Sequence, residues 1–187
     1  IDKGRSIFYT PNTGFNGVDT FTYTINDGNG GTSTATTTVL VNDSPVLDNS
    51  GNTKLTDVAF NATNNSGITI TDLIASGAAG NPITDPNTGA TEGIAITAID
   101  TTNGFWQYTT DGTTWNNFAT VSATNALLLA ADGTTKIRFV PNSGYSGTVT
   151  NGITFNAWDR ITGTNGATAD VTADLAANGT SLSLIHI

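Results

Sequence analysis

Carboxylates and aromatic rings are the groups in this 187-residue chain whose types and spacing could do chemistry. Fourteen of the fifteen acids are Asp, and Glu92 is the single Glu. Asp suits turns and the oxygen-rich loops that hold hard cations, whereas Glu suits helices. Calcium takes six to eight oxygens from carboxylates, amides and backbone carbonyls. The stretch DPNTGATE, Asp85 to Glu92, has loop-like spacing, but its Glu comes too early for an EF-hand. Glycoside hydrolysis would need two carboxylates about 5–10 Å apart, one of them with a raised pKa. Here the Asp residues stand beside Gly, Asn or Thr in turn-like stretches, and exposed turn acids lack the burial that raises a pKa. Cysteine is absent and His186 is the only histidine, so thiolate sites are excluded and imidazole chemistry has one candidate. No triad, zinc signature or phosphate loop is present. The residues predict a chain that is not an enzyme.

The rings concentrate in GFWQYTTDGTTWNNF, which places Trp106, Tyr108, Trp115 and Phe118 around an Asp111-Gly112 turn. In a strand, Trp106 and Tyr108 share one face and Phe105 and Gln107 the other. Flat exposed rings would make a platform for sugar C–H faces. Rings turned inward would pack the core of a sandwich instead, and that is the expectation here.

The elements that must position these groups read as strands. Thr, Gly and Asn abound, and nine Asn-Gly or Asp-Gly pairs punctuate the chain, at Asn16, Asp27, Asn29, Asn103, Asp111, Asp132, Asn151, Asn165 and Asn178. Such pairs supply the positive φ of hairpin turns. Between them lie DTFTYTI, TSTATTTVLV, GITITDLI, GIAITAID, FWQYT, ALLLA, KIRFV, ITFNAW and ATADVTA. No long stretch has helical period. Thr32, Thr34, Thr36 and Thr38 alternate along one strand and read as its solvated face. The fold class predicted is all-β, an antiparallel sandwich, with one partial and one complete domain.

The turn-rich stretch NDSPVLDNSG, Asn42 to Gly51, marks the boundary. Residues 1–44 read as the last strands of one domain, 45–175 as a complete one, and 176–187 as a linker and tail. The final Leu182–Ile187, LSLIHI, is what translation of a common transposon sequencing adapter yields, so 182–187 are expected to be foreign. With no Met and an opening at Ile1, the chain is expected to be a piece of something longer. A turn is written twice: Pro11, Asn12, Gly14, Phe15 and Gly17 recur as Pro141, Asn142, Gly144, Tyr145 and Gly147. Phe21, Tyr23 and Asp27 then match Ile153, Phe155 and Asp159 after a two-residue insertion. Each copy is expected to close a β-domain, its aromatic plugging the open end of the core. The chain carries fifteen acidic against six basic residues, a net charge of -9, which argues against nucleic acid or an anionic membrane surface as partner. No apolar run is long enough to span a membrane as a helix.

YTP, FNGVDTFTY, NDGNGG and VNDSP in the first 44 residues resemble the ends of the cadherin-like and immunoglobulin-like repeats of giant bacterial surface proteins. GIAITAIDTTNGFWQYTTDGTTW, LLLAADGTTKIRFVPNSGYSGTV and ITFNAWD resemble a second repeat type found in such proteins. The resemblance implies an extracellular structural and adhesive module at a bacterial cell surface or in a biofilm. Its partners would be neighbouring repeats of the same chain and, in addition, surface glycans or other proteins. It also implies calcium at domain junctions, for which Asp19, Asp27, Asn42 and Asp43 in the first domain, and Asp85, Asp100 and Asp159 in the second, are the candidate ligands. The alternative is a carbohydrate-binding or accessory module of a secreted enzyme, which would require Trp106 and Trp115 to be exposed and coplanar.

Overall fold

The computed structural model describes residues 7–77 and 80–172, together with the backbone of Ser181–His186. The fold is all-β, and the strands pair almost wholly antiparallel. The chain divides into two units. The first runs to Asp43 and takes in Pro86–Thr88; the second holds Ser44–Asp85 and the chain from Gly89 onward. Pro86–Thr88, which the sequence places inside the second domain, thus groups with the first unit.

The first unit is built on β1 (Gly17–Asn26) and β2 (Thr32–Val41), paired along their whole length from Gly17↔Val41 to Asn26↔Thr32. The register puts Phe21, Tyr23 and Ile25 on one face with Thr37, Ala35 and Ser33 opposite them. The other face pairs Thr20 with Thr38, Thr22 with Thr36 and Thr24 with Thr34. The threonine row is therefore a two-stranded array, and the Thr24 and Thr34 hydroxyls share a hydrogen bond of 2.8 Å. Such cross-strand pairs each stabilise a ribbon by a few tenths of a kcal/mol to about 1 kcal/mol. The connecting turn is longer than a two-residue hairpin. Asp27 N–H donates to the Gly31 carbonyl at 3.0 Å, and Gly28 and Gly30 take φ of 80° and 97°.

The second unit holds β3 (Val46–Leu47), β4 (Thr53–Lys54), β5 (Ile68–Thr69), helix α1 (Ile70–Ala75), β6 (Ile83–Thr84), β7 (Gly93–Ile99) and β8 (Gly104–Thr109). It continues through β9 (Asn116–Asn117), β10 (Ala126–Ala130), β11 (Lys136–Pro141), β12 (Thr148–Val149), β13 (Ile153–Trp158), β14 (Thr168–Ala169) and β15 (Ser181–His186). One sheet has the order β12-β15-β13-β7-β10-β14, with β4 added parallel to β15. The other has the order β5-β11-β8-β9, and β3 pairs with β6. The tail expectation for 176–187 falls partly outside the described residues, at 176–180 and 187. The backbone of β15 pairs with β13 through Phe155↔Ser181 and with β12 through Thr148↔His186.

The core packs Ile94 and Ile96 of β7, Leu127 and Leu129 of β10, and Ile153 and Phe155 of β13 with Trp106 of β8 and Ile137 and Phe139 of β11. Ala95, Ala126 and Leu128 point the other way and are covered by Trp158, Ala169 and Val171. Burial on both faces explains the unbroken apolar run of β10 and of Ile94–Ile96 in β7. ALLLA is accordingly a strand.

GITITDLI, expected as a strand, becomes two residues of β5 followed by α1. Thr69 caps the helix: its Oγ1 accepts the Asp72 N–H at 3.0 Å and donates to Asp72 Oδ2 at 2.7 Å. Ile70, Leu73 and Ile74 then fall on one buried face at helical spacing.

The repeated turn has one geometry in both copies. Phe15 N–H donates to Asn12 O at 3.0 Å and Tyr145 N–H to Asn142 O at 3.1 Å, with Gly14 and Gly144 at φ of 78° and 81°. The plug is realised once. Tyr145 packs against the core and its hydroxyl donates to Thr148 O at 3.2 Å. Phe15 is exposed in the first unit, whose described residues form a two-stranded sheet.

Candidate functional site

Three of the seven candidate calcium ligands, Asp27, Asp100 and Asp159, cap their own turns. Asp27 Oδ1 accepts the N–H groups of Asn29 and Gly31 at 2.8 and 2.9 Å. Asp100 Oδ1 accepts from Thr102 N–H at 2.9 Å, and Asp159 Oδ1 from Ile161 N–H at 3.1 Å. Asp19 takes the Tyr9 hydroxyl at 2.7 Å and its neighbour Thr20 N–H at 2.7 Å. Asp85 is half-buried in the second unit. Asp19 lies in β1 and Asp27 just past its end, eight residues on, roughly 27 Å at strand rise. No three acidic or imidazole side chains come together as a metal-holding group among the described residues.

Asp43 has a different setting. Within the first unit its Oδ2 accepts from the Asn16 amide at 3.3 Å, and its N–H donates to Asn87 Oδ1 at 3.1 Å. Asn87 reaches back to the Val41 carbonyl at 3.5 Å. One carboxylate, two amide side chains and a backbone carbonyl are of the right chemical type for calcium. These groups hold five oxygens at most, and Asn16 and Asn87 turn N–H groups toward the Asp43 carboxylate and the Val41 carbonyl, so the set falls short of six to eight and water would have to complete the shell.

Every carboxylate with a resolved shift titrates below its ordinary range. Thr102 donors hold Asp100 down, and Ser50 donors do the same for Asp48. Asp111 is held lowest, by the N–H groups of Thr114 and Thr113 at 2.7 and 2.8 Å. Burial pushes Asp132 up, but the Thr135 and Thr134 donors outweigh it and the net shift is downward. Thr172 holds Asp170 down. A general acid needs the opposite displacement.

The aromatic cluster faces inward. Trp106 is 1% exposed, with Phe139 at 5.2 Å and Phe118 at 6.5 Å between ring centroids, and its indole N–H donates to Asp100 O at 2.9 Å. Tyr108 meets Phe118 edge-on at 5.4 Å. Trp115 is half-buried under the Arg138 guanidinium, whose carbon lies 4.1 Å from the ring centroid. Trp106 and Trp115 therefore form no coplanar exposed platform. Arg138 was not singled out by sequence reasoning. Its signal is a cation set between Ile137 and Phe139 in KIRFV, a run that heads for the core after Lys136.

No curated protein and no solved structure matches the chain. The sequence model of the bacterial Ig domain family matches residues 1–40, the segment that forms β1 and most of β2.

Proposed function

We propose that this chain is a spacing and adhesive segment of a large bacterial extracellular repeat protein. The observation that carries the reading is the bacterial Ig domain match over residues 1–40, on a segment whose closing turn recurs with the same geometry at Asn142–Tyr145. A chain that repeats one closing turn reads as a succession of β-modules. Ig domains of bacteria are typically carried on extracellular proteins, and the role they support is non-catalytic. No helix among the described residues is long and apolar enough to cross a membrane.

Calcium belongs to this proposal at the Asp43 end of the first unit, beside the Val41 carbonyl, with Asn16 and Asn87 adding oxygens once their amides rotate away from their present N–H contacts. A single carboxylate places such a site with the weak extracellular modules, whose Kd is about 10⁻⁴–10⁻³ M. Roughly 10 mM calcium then stabilises the first unit by about 1.4–2.7 kcal/mol. Thermal unfolding in chelator and then in calcium tests it. A rise of several degrees that Asp43→Asn removes supports the site, and identical curves leave a calcium-independent spacer.

A further inference from the structure

Arg138 is an almost wholly buried cation with no ion-pair partner among the described residues. It stands on β11 opposite Gln107 of β8, and the whole residue is 7% exposed. Its Nε donates to Gln107 Oε1 at 2.8 Å. Its Nη1 donates to Asn64 Oδ1 at 2.9 Å and to the Asn65 carbonyl at 3.0 Å. Trp115 covers one face of the guanidinium. All of these partners are neutral. Three of the five N–H donors of an arginine are thereby used, and the two on Nη2 have no partner among the described residues. Nη2 is not a fully enclosed unpaired atom, so it touches accessible space. Arg138 lines a cleft of about 50 Å³ whose walls include Thr56, Asn65, Ser66 and Gly67. Buried cations are ordinarily paired, because removing charge from water is costly and neutral acceptors recover it only in part. Burial lowers the Arg138 pKa, which reports the same desolvation.

We infer that this cleft is a binding site for the carboxylate of a hydroxylated acid such as a uronic acid. The volume holds a few water-sized groups, enough for one carboxylate and too little for a pyranose ring. The acid group would enter and the ring would stay at the mouth. There the exposed hydroxyls of Thr56 and Ser66 suit sugar hydroxyls, while the Asn65 amide is held by the Phe139 carbonyl and the Gly67 N–H. Nη2 keeps two diverging N–H donors, so a carboxylate oxygen takes one charge-assisted bond from it rather than the two-nitrogen fork, which Gln107, Asn64 and Asn65 already occupy. Asp57 also lines the cleft, but it is paired with Lys54 at 3.5 Å. The two cations against one anion leave the local balance at +1, although the whole chain is at -9. At about 0.15 M salt the screening length is near 8 Å, so the local groups outweigh the distant ones.

The test is tryptophan emission of the full chain titrated at constant ionic strength with methyl glucuronide, methyl glucoside and acetylglycine. Trp115 sits on the guanidinium and supplies the signal. Saturable change with the glucuronide, none with the neutral glucoside and weaker binding of acetylglycine is the expected result. Arg138→Lys should weaken glucuronide binding at least roughly tenfold, with far-UV circular dichroism showing that the variant is folded. Trp115→Phe should remove the optical signal while calorimetry still records binding. No saturation by the glucuronide overturns the site. Equal binding by Arg138→Lys also overturns it, and tighter binding of acetylglycine overturns the assignment to a sugar acid in favour of a peptide carboxylate.

Discussion

Replacing Trp106 by Phe separates a core ring from a sugar platform. The indole is 1% exposed, touches Phe139 and Phe118, and donates 2.9 Å to the Asp100 carbonyl. Phenylalanine keeps a ring but removes the N–H and leaves that carbonyl without its donor, at a cost of about 1 kcal/mol. The lost ring area and the void it leaves add about 1 kcal/mol more. The sum of about 2 kcal/mol corresponds to a melting point lowered by roughly 6–8 °C for a unit of this size. Trp106→Ala should cost about 3–5 kcal/mol. Urea unfolding followed by far-UV circular dichroism measures both, with the denaturant slope unchanged if the native state is intact. A double-mutant cycle with Phe139→Leu should return a coupling of about 0.5–1.5 kcal/mol for the ring pair. A Trp106→Phe protein as stable as the parent within about 0.5 kcal/mol would refute the packing argument. Quenching of Trp106 by neutral glycans would do the same.

The Asp111 carboxyl is held low by Thr114 and Thr113, so its contribution is present above the ordinary carboxylate pKa of about 3.9. That contribution is lost as pH falls from there through the lower folded value. Melting temperature followed from pH 5 to pH 2 should fall less steeply in Asp111→Asn than in the parent, and parallel curves would contradict the assignment. Gly104→Ala places a Cβ against the Phe139 ring and the Val140 carbonyl. Overpacking should destabilise the second unit by about 1–3 kcal/mol, where a glycine-to-alanine change at an open site of ordinary φ stabilises by about 0.4–1 kcal/mol. The sign of the shift in urea midpoint decides it.

Strand content was legible because alternation and turn residues are local properties. TSTATTTVLV coincides with β2, and GIAITAI, ALLLA and ITFNAW with β7, β10 and β13. GITITDLI was misread because its apolar residues suit a strand and a helix alike over so short a run. The Thr69-x-x-Asp72 cap that decides for the helix was present but small. The carboxylates were legible as turn residues and ambiguous as ligands, since Asp suits both roles. Which role each takes depends on what lies across the fold: Asp27 finds its own loop N–H groups, and Asp43 finds Asn16 and Asn87 from 27 and 44 residues away.

By itself the sequence determined the all-β class, the turn that recurs at Asn12–Phe15 and Asn142–Tyr145, the acidic charge, and the absence of thiol chemistry. These follow from residue type and spacing, and no distant contact is needed to read them. Tertiary structure alone decided that the threonine row is two strands wide, that Trp106 lies in the core, and that Tyr145 plugs a core while Phe15 does not. It alone placed Arg138 under Trp115, beside neutral acceptors and a small cleft. The physical reason is that burial and pairing depend on which strands become neighbours, and long-range register sets that, as in the pairing of Arg138 with Gln107, 31 residues apart.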